Sequence, residues 1–258
     1  MTGASTDASQ RRRAELAGNL ARVRERVAVA CAAVGRDPAT VALVAVTKTY
    51  PASDVALLAG LGVTDVGENR DQEAAPKAAA VAAAGAHVRW HFVGQLQRNK
   101  CRSVVGYADM VQSVDSVRLA AALADAARRH RGGGESGAGE PGPPLDVLVQ
   151  VSIDGDPSRG GALPESSDVD RGLLPVAEAI AGHGALRLAG LMAVAPVGWP
   201  PESAFARLAV IAADVRSRFP GATVLSAGMS GDLEAAVAHG ATHVRVGAAL
   251  LGMRPTLR

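Results

Sequence analysis

Lys48 closes the apolar run Val41-Ala42-Leu43-Val44-Ala45-Val46 and is followed by Thr49, Tyr50 and Pro51. The run is too short and too β-branched for a helix, so it reads as a buried strand of the parallel type. An amine at the carboxyl end of such a strand stands at the mouth of a core. Partial desolvation there favours the neutral form, and only a neutral amine attacks a carbonyl. Taken alone, Lys48 reads more readily as a surface lysine capping a strand. Other strand ends change the balance, because they too carry groups that could do chemistry: Glu68-Asn69, His91 with Gly94, Ser113, Ser152, Met192, Ser226-Ala227-Gly228-Met229-Ser230, and Arg245 with Gly247.

These residues need a frame that brings them to one face. Eight short apolar runs begin near Val41, Asp65, Arg89, Met110, Asp146, Leu186, Thr223 and His243. Between them lie alanine-rich segments with helical spacing: Ala52–Leu61, Asp71–Ala84, Val117–Arg131, Val169–Ala181, Glu202–Arg218 and Leu233–His239. An extra helix, Arg11 to Val34, precedes the first run, with Leu16, Leu20, Val23 and Val27 on one stripe and Gly35 as its stop. Strands alternating with helices mean parallel βαβ units, and eight of them match a single-domain (β/α)8 TIM barrel over residues 11–258. A doubly wound open sheet is the alternative, but no Gly-x-Gly-x-x-Gly turn follows the first strand. Residues 1–10 are expected to be disordered, and the Gly- and Pro-rich stretch 132–144 to form a flexible loop at the amino-terminal end of the barrel. The segment Asp154 to Asp168 falls on the opposite, functional end, as a lid or as a tolerated insertion.

Composition narrows the function classes. The 258 residues are 48% hydrophobic but only 3% aromatic, with a formal net charge of +2. The basic clusters Arg11-Arg12-Arg13 and Arg128-Arg129-Arg131 read as solvated helix faces, with no base-reading partners, so nucleic acid is not an expected ligand. Cys31 and Cys101 have neither metal-ligand spacing nor a disulfide framework. No apolar stretch reaches membrane-spanning length and the N-terminus lacks a secretory signal, so the expectation is a soluble cytoplasmic protein without a metal.

In a barrel, carboxyl ends of strands converge on the active face, and the loops after strands seven and eight are the usual phosphate cradle. Here those loops are Gly228-Met229-Ser230-Gly231-Asp232 and Gly247-Ala248. Glycines let the backbone approach an anion closely; either loop alone could equally be just a tight turn. An amine facing a phosphate cradle calls for a ligand with an aldehyde at one end and a phosphate at the other. Pyridoxal 5′-phosphate fits, and so does a sugar phosphate handled by a Schiff-base aldolase.

The segments Ala45-Val46-Thr47-Lys48-Thr49, Gly67-Glu68-Asn69, His91-Phe92-Val93-Gly94-Gln95-Leu96-Gln97-Arg98-Asn99-Lys100, Gly190-Leu191-Met192, Leu225-Ser226-Ala227-Gly228-Met229-Ser230 and Val244-Arg245-Val246-Gly247 resemble those of the pyridoxal phosphate homeostasis proteins, single-domain relatives of the alanine racemase barrel. The likeness runs from about Val41 to Met253. It implies a cofactor held as an internal aldimine by Lys48, its phosphate met by Ser230, Gly247 and nearby amides, and Arg245 facing the pyridine nitrogen. Asn69, Met192, Ser226, Gly228, Met229 and Ala248 complete the implied cofactor contacts. Arginine only donates, so the ring would stay largely unprotonated and be a weak electron sink. An ion pair of Arg245 with Glu68 or Asp232 is the rival reading. The chain departs from the family at Ala248, where a hydroxyl residue is common, at Arg70, where an aromatic is common, and at Arg159, where a lysine is common; Arg159 is expected to be solvated.

The resemblance implies a carrier serving vitamin B6 homeostasis and delivery to apo-enzymes, with no catalytic residues and little or no catalysis. The alternative is a racemase-like enzyme acting on amino acids. Two-base racemisation needs a second catalytic group, which racemases take from a separate carboxyl-terminal domain, and the sequence ends just past the eighth unit. Tyr50 is expected to lie too close to Lys48, and Tyr107 at the wrong end of its strand. His91, without an assignable partner, is a possible base or equally a hydrogen-bonded structural residue; a water is the other candidate second base, and Glu68-Asn69 could orient Lys48 or ordered water, with Lys48 or Lys100 as partners of Glu68. A monomer is expected.

Overall fold

Eight parallel strands close on one another in sequence order, which is the barrel the alternation predicts. The computed structural model describes residues 2–131 and 142–252. Most of the expected loop 132–144 therefore lies outside the described residues. The strands are β1 (Ala42–Val46), β2 (Asp65–Glu68), β3 (Arg89–Phe92), β4 (Met110–Val114), β5 (Leu145–Val151), β6 (Leu186–Ala193), β7 (Val224–Ser226) and β8 (His243–Val246). The helices are α1 (Thr2–Ala33), α2 (Ala52–Ala59), α3 (Asp71–Ala83), α4 (Cys101–Val104), α5 (Val117–Arg131), α6 (Leu173–Ala181), α7 (Pro201–Arg218), α8 (Leu233–Ala238) and α9 (Ala248–Leu251). No helix among the described residues is long and apolar enough to cross a membrane.

Residues 2–10, expected to be disordered, are instead the first turns of α1. No proline interrupts them, and an Asp7–Arg11 ion pair four residues apart carries the helix back from its apolar stripe. The stripe itself is buried as its spacing requires: Leu16, Leu20, Val23 and Val27 pack with α2, β1, β8 and the last two helices. The short α4 and α9 have too few periodic positions to stand out in the sequence.

Strand geometry sends alternate side chains to opposite faces. The outward set meets the helices in two large aliphatic clusters. The inward set divides the barrel along its axis. At the amino-terminal floor, Arg187 makes two bonds to Asp146 (2.5 and 2.7 Å), and Arg89 lies 3.4 Å from Asp146 and 3.7 Å from Asp65. Above the floor, Met110, Leu148, Ala189 and Met192 form a small apolar plug. Few bulky residues are present, so strands and helices approach closely, and glycine is required where they do. At Gly190 (φ +153°) a Cβ would fall 1.9 Å from the Val224 carbonyl oxygen on β7. Replacing Gly190 with alanine is expected to cost at least about 3 kcal/mol, since backbone rather than a flexible side chain must move. Urea unfolding checks this; a loss below about 1 kcal/mol would show that β6 and β7 can separate without penalty.

Candidate functional site

The carboxyl ends of β6, β7, β8, β1 and β2 lie side by side and form one sector of the barrel mouth. Arg245 sits at its centre, 5% exposed. Its Nη1 donates to the Ser226 carbonyl oxygen (2.8 Å) and to Ser226 Oγ (2.8 Å), and its Nη2 donates to the Ala193 carbonyl oxygen (2.8 Å). A guanidinium has five N–H donors, and three are used by these bonds, so two have no partner among the described residues. No carboxylate among those residues pairs with it, so neither Glu68 nor Asp232 forms the alternative ion pair. Burial pushes the Arg245 guanidinium down to about 10, with Asp232 pulling the other way. It is still cationic at neutral pH.

Around this charge stand the residues singled out in the sequence. Met192 is the register partner of Ser226 and caps the apolar plug beneath the mouth. The Arg245 amide donates to the Gly228 carbonyl oxygen (2.9 Å), which draws the β7 loop against β8. Gly228 has φ +87°, and a Cβ there would lie 2.5 Å from that of Ala236, so only glycine makes this turn. The turn continues through exposed Met229 and half-buried Ser230, and the Met229 amide donates to Asp232. Gly247 and Ala248 open α9 next to it, with Ala248 exposed.

Lys48 is two residues beyond Val46, the last residue of β1, and continues the inward parity of Val44 and Val46. Its side chain is exposed, not half-buried as the strand-end reading expects, because the chain turns at Lys48 and leaves the sheet. The next residue, Thr49, has φ +72°, an outlying conformation for a β-branched residue. Such a strained turn beside an exposed primary amine is where functional sites commonly hold strain. Asn69 follows β2, half-buried, and its Oδ1 is sealed from solvent without a partner among the described residues. Its backbone packs so tightly on Gly94 that a Cβ there would lie 2.1 Å from the Asn69 carbonyl oxygen.

Several expectations are corrected. Glu68 is fully buried on the outer side of the barrel wall; its Oε1 accepts from Thr47 Oγ1 (2.7 Å) and pairs with Lys77 of α3, not with Lys48 or Lys100. Lys77 Nζ also donates to the Thr47 carbonyl oxygen (2.8 Å), so the pair braces the residue preceding Lys48. His91 has two partners in place of none: Asp65 Oδ1 at 2.8 Å and Gln112 Nε2 at 2.7 Å. Arg159 is not solvated but pairs with Asp154 (2.9 Å). The segment 154–168 is pinned down, because Arg171 donates to the carbonyl oxygens of Pro157, Arg159 and Gly161. Tyr50 donates to the Gly252 carbonyl oxygen (2.6 Å). Tyr107 packs edge-on against Trp90, and burial together with Asp71 and Glu68 pushes its phenol up.

Sequence reasoning missed the supports. Gln112 was legible as a polar residue at an inward position of an apolar strand. The α1 contacts were not: Asn19 Nδ2 donates to the Leu250 carbonyl oxygen (2.8 Å), Arg12 to that of Leu251 (3.0 Å) and Arg26 to that of Ser230 (2.9 Å). These bonds fasten the two loops of the proposed cradle from outside.

The family model for the alanine racemase N-terminal domain matches residues 18–255. A pyridoxal phosphate homeostasis protein of Mycobacterium leprae (strain TN) is 44% identical, over 96% of each chain. One from Pseudomonas aeruginosa is 41% identical over 93% of this chain and 96% of its own. The chain belongs to the pyridoxal phosphate homeostasis protein family. A solved member of similar sequence, PipY of Synechococcus elongatus with PLP bound, has a TM-score of 0.70 at 30% identity and is covered in full by 92% of this chain. For a member of this family the mouth has fitting chemistry: an exposed primary amine, a buried cation with donors to spare, and a glycine turn beside it. Together they can hold a ligand that carries an aldehyde and an anionic group.

The brace behind Lys48 gives a test on the protein alone. Lys77→Met leaves the Glu68 carboxylate buried without its cation and is expected to cost about 3–5 kcal/mol. The double variant Lys77→Met/Glu68→Leu should recover much of that loss in urea unfolding. Equal losses in the single and double variants would mean that the ion pair does not hold this wall together.

Proposed function

We propose that this chain binds pyridoxal 5′-phosphate at the barrel mouth as a Schiff base on Lys48 and serves intracellular vitamin B6 homeostasis and delivery, with little or no catalysis of its own. The carrying observation is Arg245, a buried guanidinium without a carboxylate, whose spare donors suit a ring nitrogen that accepts a hydrogen bond. The PLP-bound state of PipY supports the same ligand here. Ser230, Gly247 and the amide of Ala248 would receive the phosphate, and Asn69, Met192, Ser226, Gly228 and Met229 would line the remainder. When bound, the cofactor supplies an electron-withdrawing ring.

The residues of the chain favour holding over turnover. Arg245 donates to the ring and cannot give it a proton at neutral pH, which keeps the electron sink weak. Of the side chains weighed as a second proton-transfer group opposite Lys48, the nearby ones are engaged. The Tyr50 hydroxyl is bonded to the chain at Gly252, and both nitrogens of His91 are taken. Apo forms of PLP-dependent enzymes are the proposed recipients, in the cytoplasm, from a monomeric carrier.

Purified protein given the cofactor is expected to turn yellow, and borohydride should fix the label on the peptide carrying Lys48. Lys48→Ala should abolish both signals; a label on another residue, or none in the wild type, would overturn the reading. Arg245→Ala should weaken retention on dialysis about tenfold or more, the loss of a charged hydrogen bond, with the circular dichroism unchanged. Unchanged retention would remove Arg245 from the site.

A further inference from the structure

A line of polar side chains crosses the otherwise apolar barrel interior, from the floor to Arg245. Arg245 Nη1 donates to Ser226 Oγ (2.8 Å), and Ser226 Oγ donates to Gln112 Oε1 (2.7 Å). Gln112 Nε2 meets His91 Nδ1 (2.7 Å), and His91 Nε2 meets Asp65 Oδ1 (2.8 Å). Thr64 Oγ1 donates to the other Asp65 oxygen (2.6 Å). Ser226, Gln112 and His91 are each 0% exposed.

With a neutral imidazole at His91, the two ends of this line set the direction of every bond within it. A guanidinium only donates and a carboxylate only accepts. Ser226 Oγ therefore accepts from Arg245 and turns its own hydrogen to Gln112. The Gln112 amide must then place its oxygen toward Ser226 and its nitrogen toward His91. His91 in turn accepts at Nδ1 and carries its proton on Nε2, where it donates to Asp65. All the bonds point the same way, and such aligned chains polarise one another. Asp65 is kept ionised to receive the last bond: burial would raise it, but hydrogen bonds from His91 and Thr64 and the charge of Arg89 hold it at about 2. His243, whose ring centre lies 6.0 Å from that of His91, is pushed down, chiefly by burial, to about 4 and adds no competing charge at neutral pH.

We propose that Asp65, His91, Gln112 and Ser226 are positioning residues that form a one-directional hydrogen-bond chain from the barrel floor and lock the Arg245 guanidinium in the orientation that presents its two spare donors to the cofactor. This rests on the functional reading above. The backbone carbonyl oxygens of Ser226 and Ala193 take one hydrogen each on Nη1 and Nη2, and the chain adds the third point of fixation, the Ser226 hydroxyl oxygen on the other Nη1 hydrogen. Without an oriented hydroxyl the guanidinium is held at two points in place of three, and its spare donors are less sharply aimed while the charge remains.

Two measurements decide it. Nitrogen NMR of the cofactor-free wild-type protein should show His91 with a protonated Nε2 and a bare Nδ1 at neutral pH. A proton on Nδ1 breaks the required direction and overturns the chain. Titration with pyridoxal 5′-phosphate, followed by absorbance, should show affinity about tenfold weaker in Gln112→Met and in His91→Leu, the typical effect of one lost hydrogen bond. The double variant should be little weaker than either, because both interrupt one line. Melting curves of each variant separate loss of aim from loss of fold: a purely structural role predicts lower melting temperatures with unchanged affinity in the folded fraction, and that result overturns the proposal. Wild-type protein that fails to bind the cofactor would defeat the functional reading instead, leaving the His91 tautomer as the test of the chain.

Discussion

The organisation of this mouth follows from one buried cation held only by neutral acceptors. Removing a guanidinium from water is costly, and a carboxylate partner is the usual compensation. Arg245 has instead two backbone carbonyls and a hydroxyl, each of which accepts without cancelling its charge. The downward displacement of its pKa is the sign of that incomplete compensation. A site that retains uncancelled positive charge and unused donors is in its least satisfied state when nothing is bound. Any anion or lone pair that enters recovers part of the desolvation penalty.

The barrel divides its charges accordingly. Along the floor, Asp146, Arg187, Arg89 and Asp65 pair with one another, where they close the bottom of the core and ask nothing of a ligand. Outside the wall, Glu68 and Lys77 neutralise each other behind Thr47. At Arg245 the balancing stops. TIM barrels place stability at the amino-terminal face and chemistry at the carboxyl-terminal one, and here the separation can be read from which ions have partners. Helix α1 extends this logic to the backbone. By bonding to the carbonyl oxygens of Ser230, Leu250 and Leu251, it holds the β7 and β8 loops still without using any group that faces the mouth.

The frame of the molecule was legible because its period was. Apolar runs of four to eight residues alternating with alanine-rich helices leave few other solutions, and the strand starts fall within a residue or so of the apolar runs. The strand-end residues were legible for the same reason, since a barrel brings them together whatever their sequence separation. What stayed hidden was which face each polar residue takes and what it meets there. Glu68 and Lys48 are both at strand ends, yet one turns outward to Lys77 and the other stands in solvent; nothing local to either residue distinguishes them. Lys77 drew no attention in the sequence, as a lysine within an alanine-rich helix. The partners of His91 lie 21 and 26 residues away along the chain and meet only because β2, β3 and β4 are neighbours. Residues 2–10 were misread for lack of an apolar stripe, although polar helices persist where ion pairs continue them.

Exposure of Lys48 and burial of Arg245 together set how such a site can hold its ligand. A bond between an amine and an aldehyde is reversible by water, and water reaches Lys48 freely. Covalency alone therefore gives this mouth little residence time. Retention has to come from the contacts that water cannot easily replace, namely the sealed guanidinium and the glycine turn pressed against it. Under the proposed function, holding and releasing would be governed by different residues: the amine by solvent, the grip by the sealed guanidinium and the hydrogen bonds behind it. A protein arranged in this way can exchange its ligand without refolding and without exposing its core, which is the property a carrier needs and a tightly closed enzyme does not.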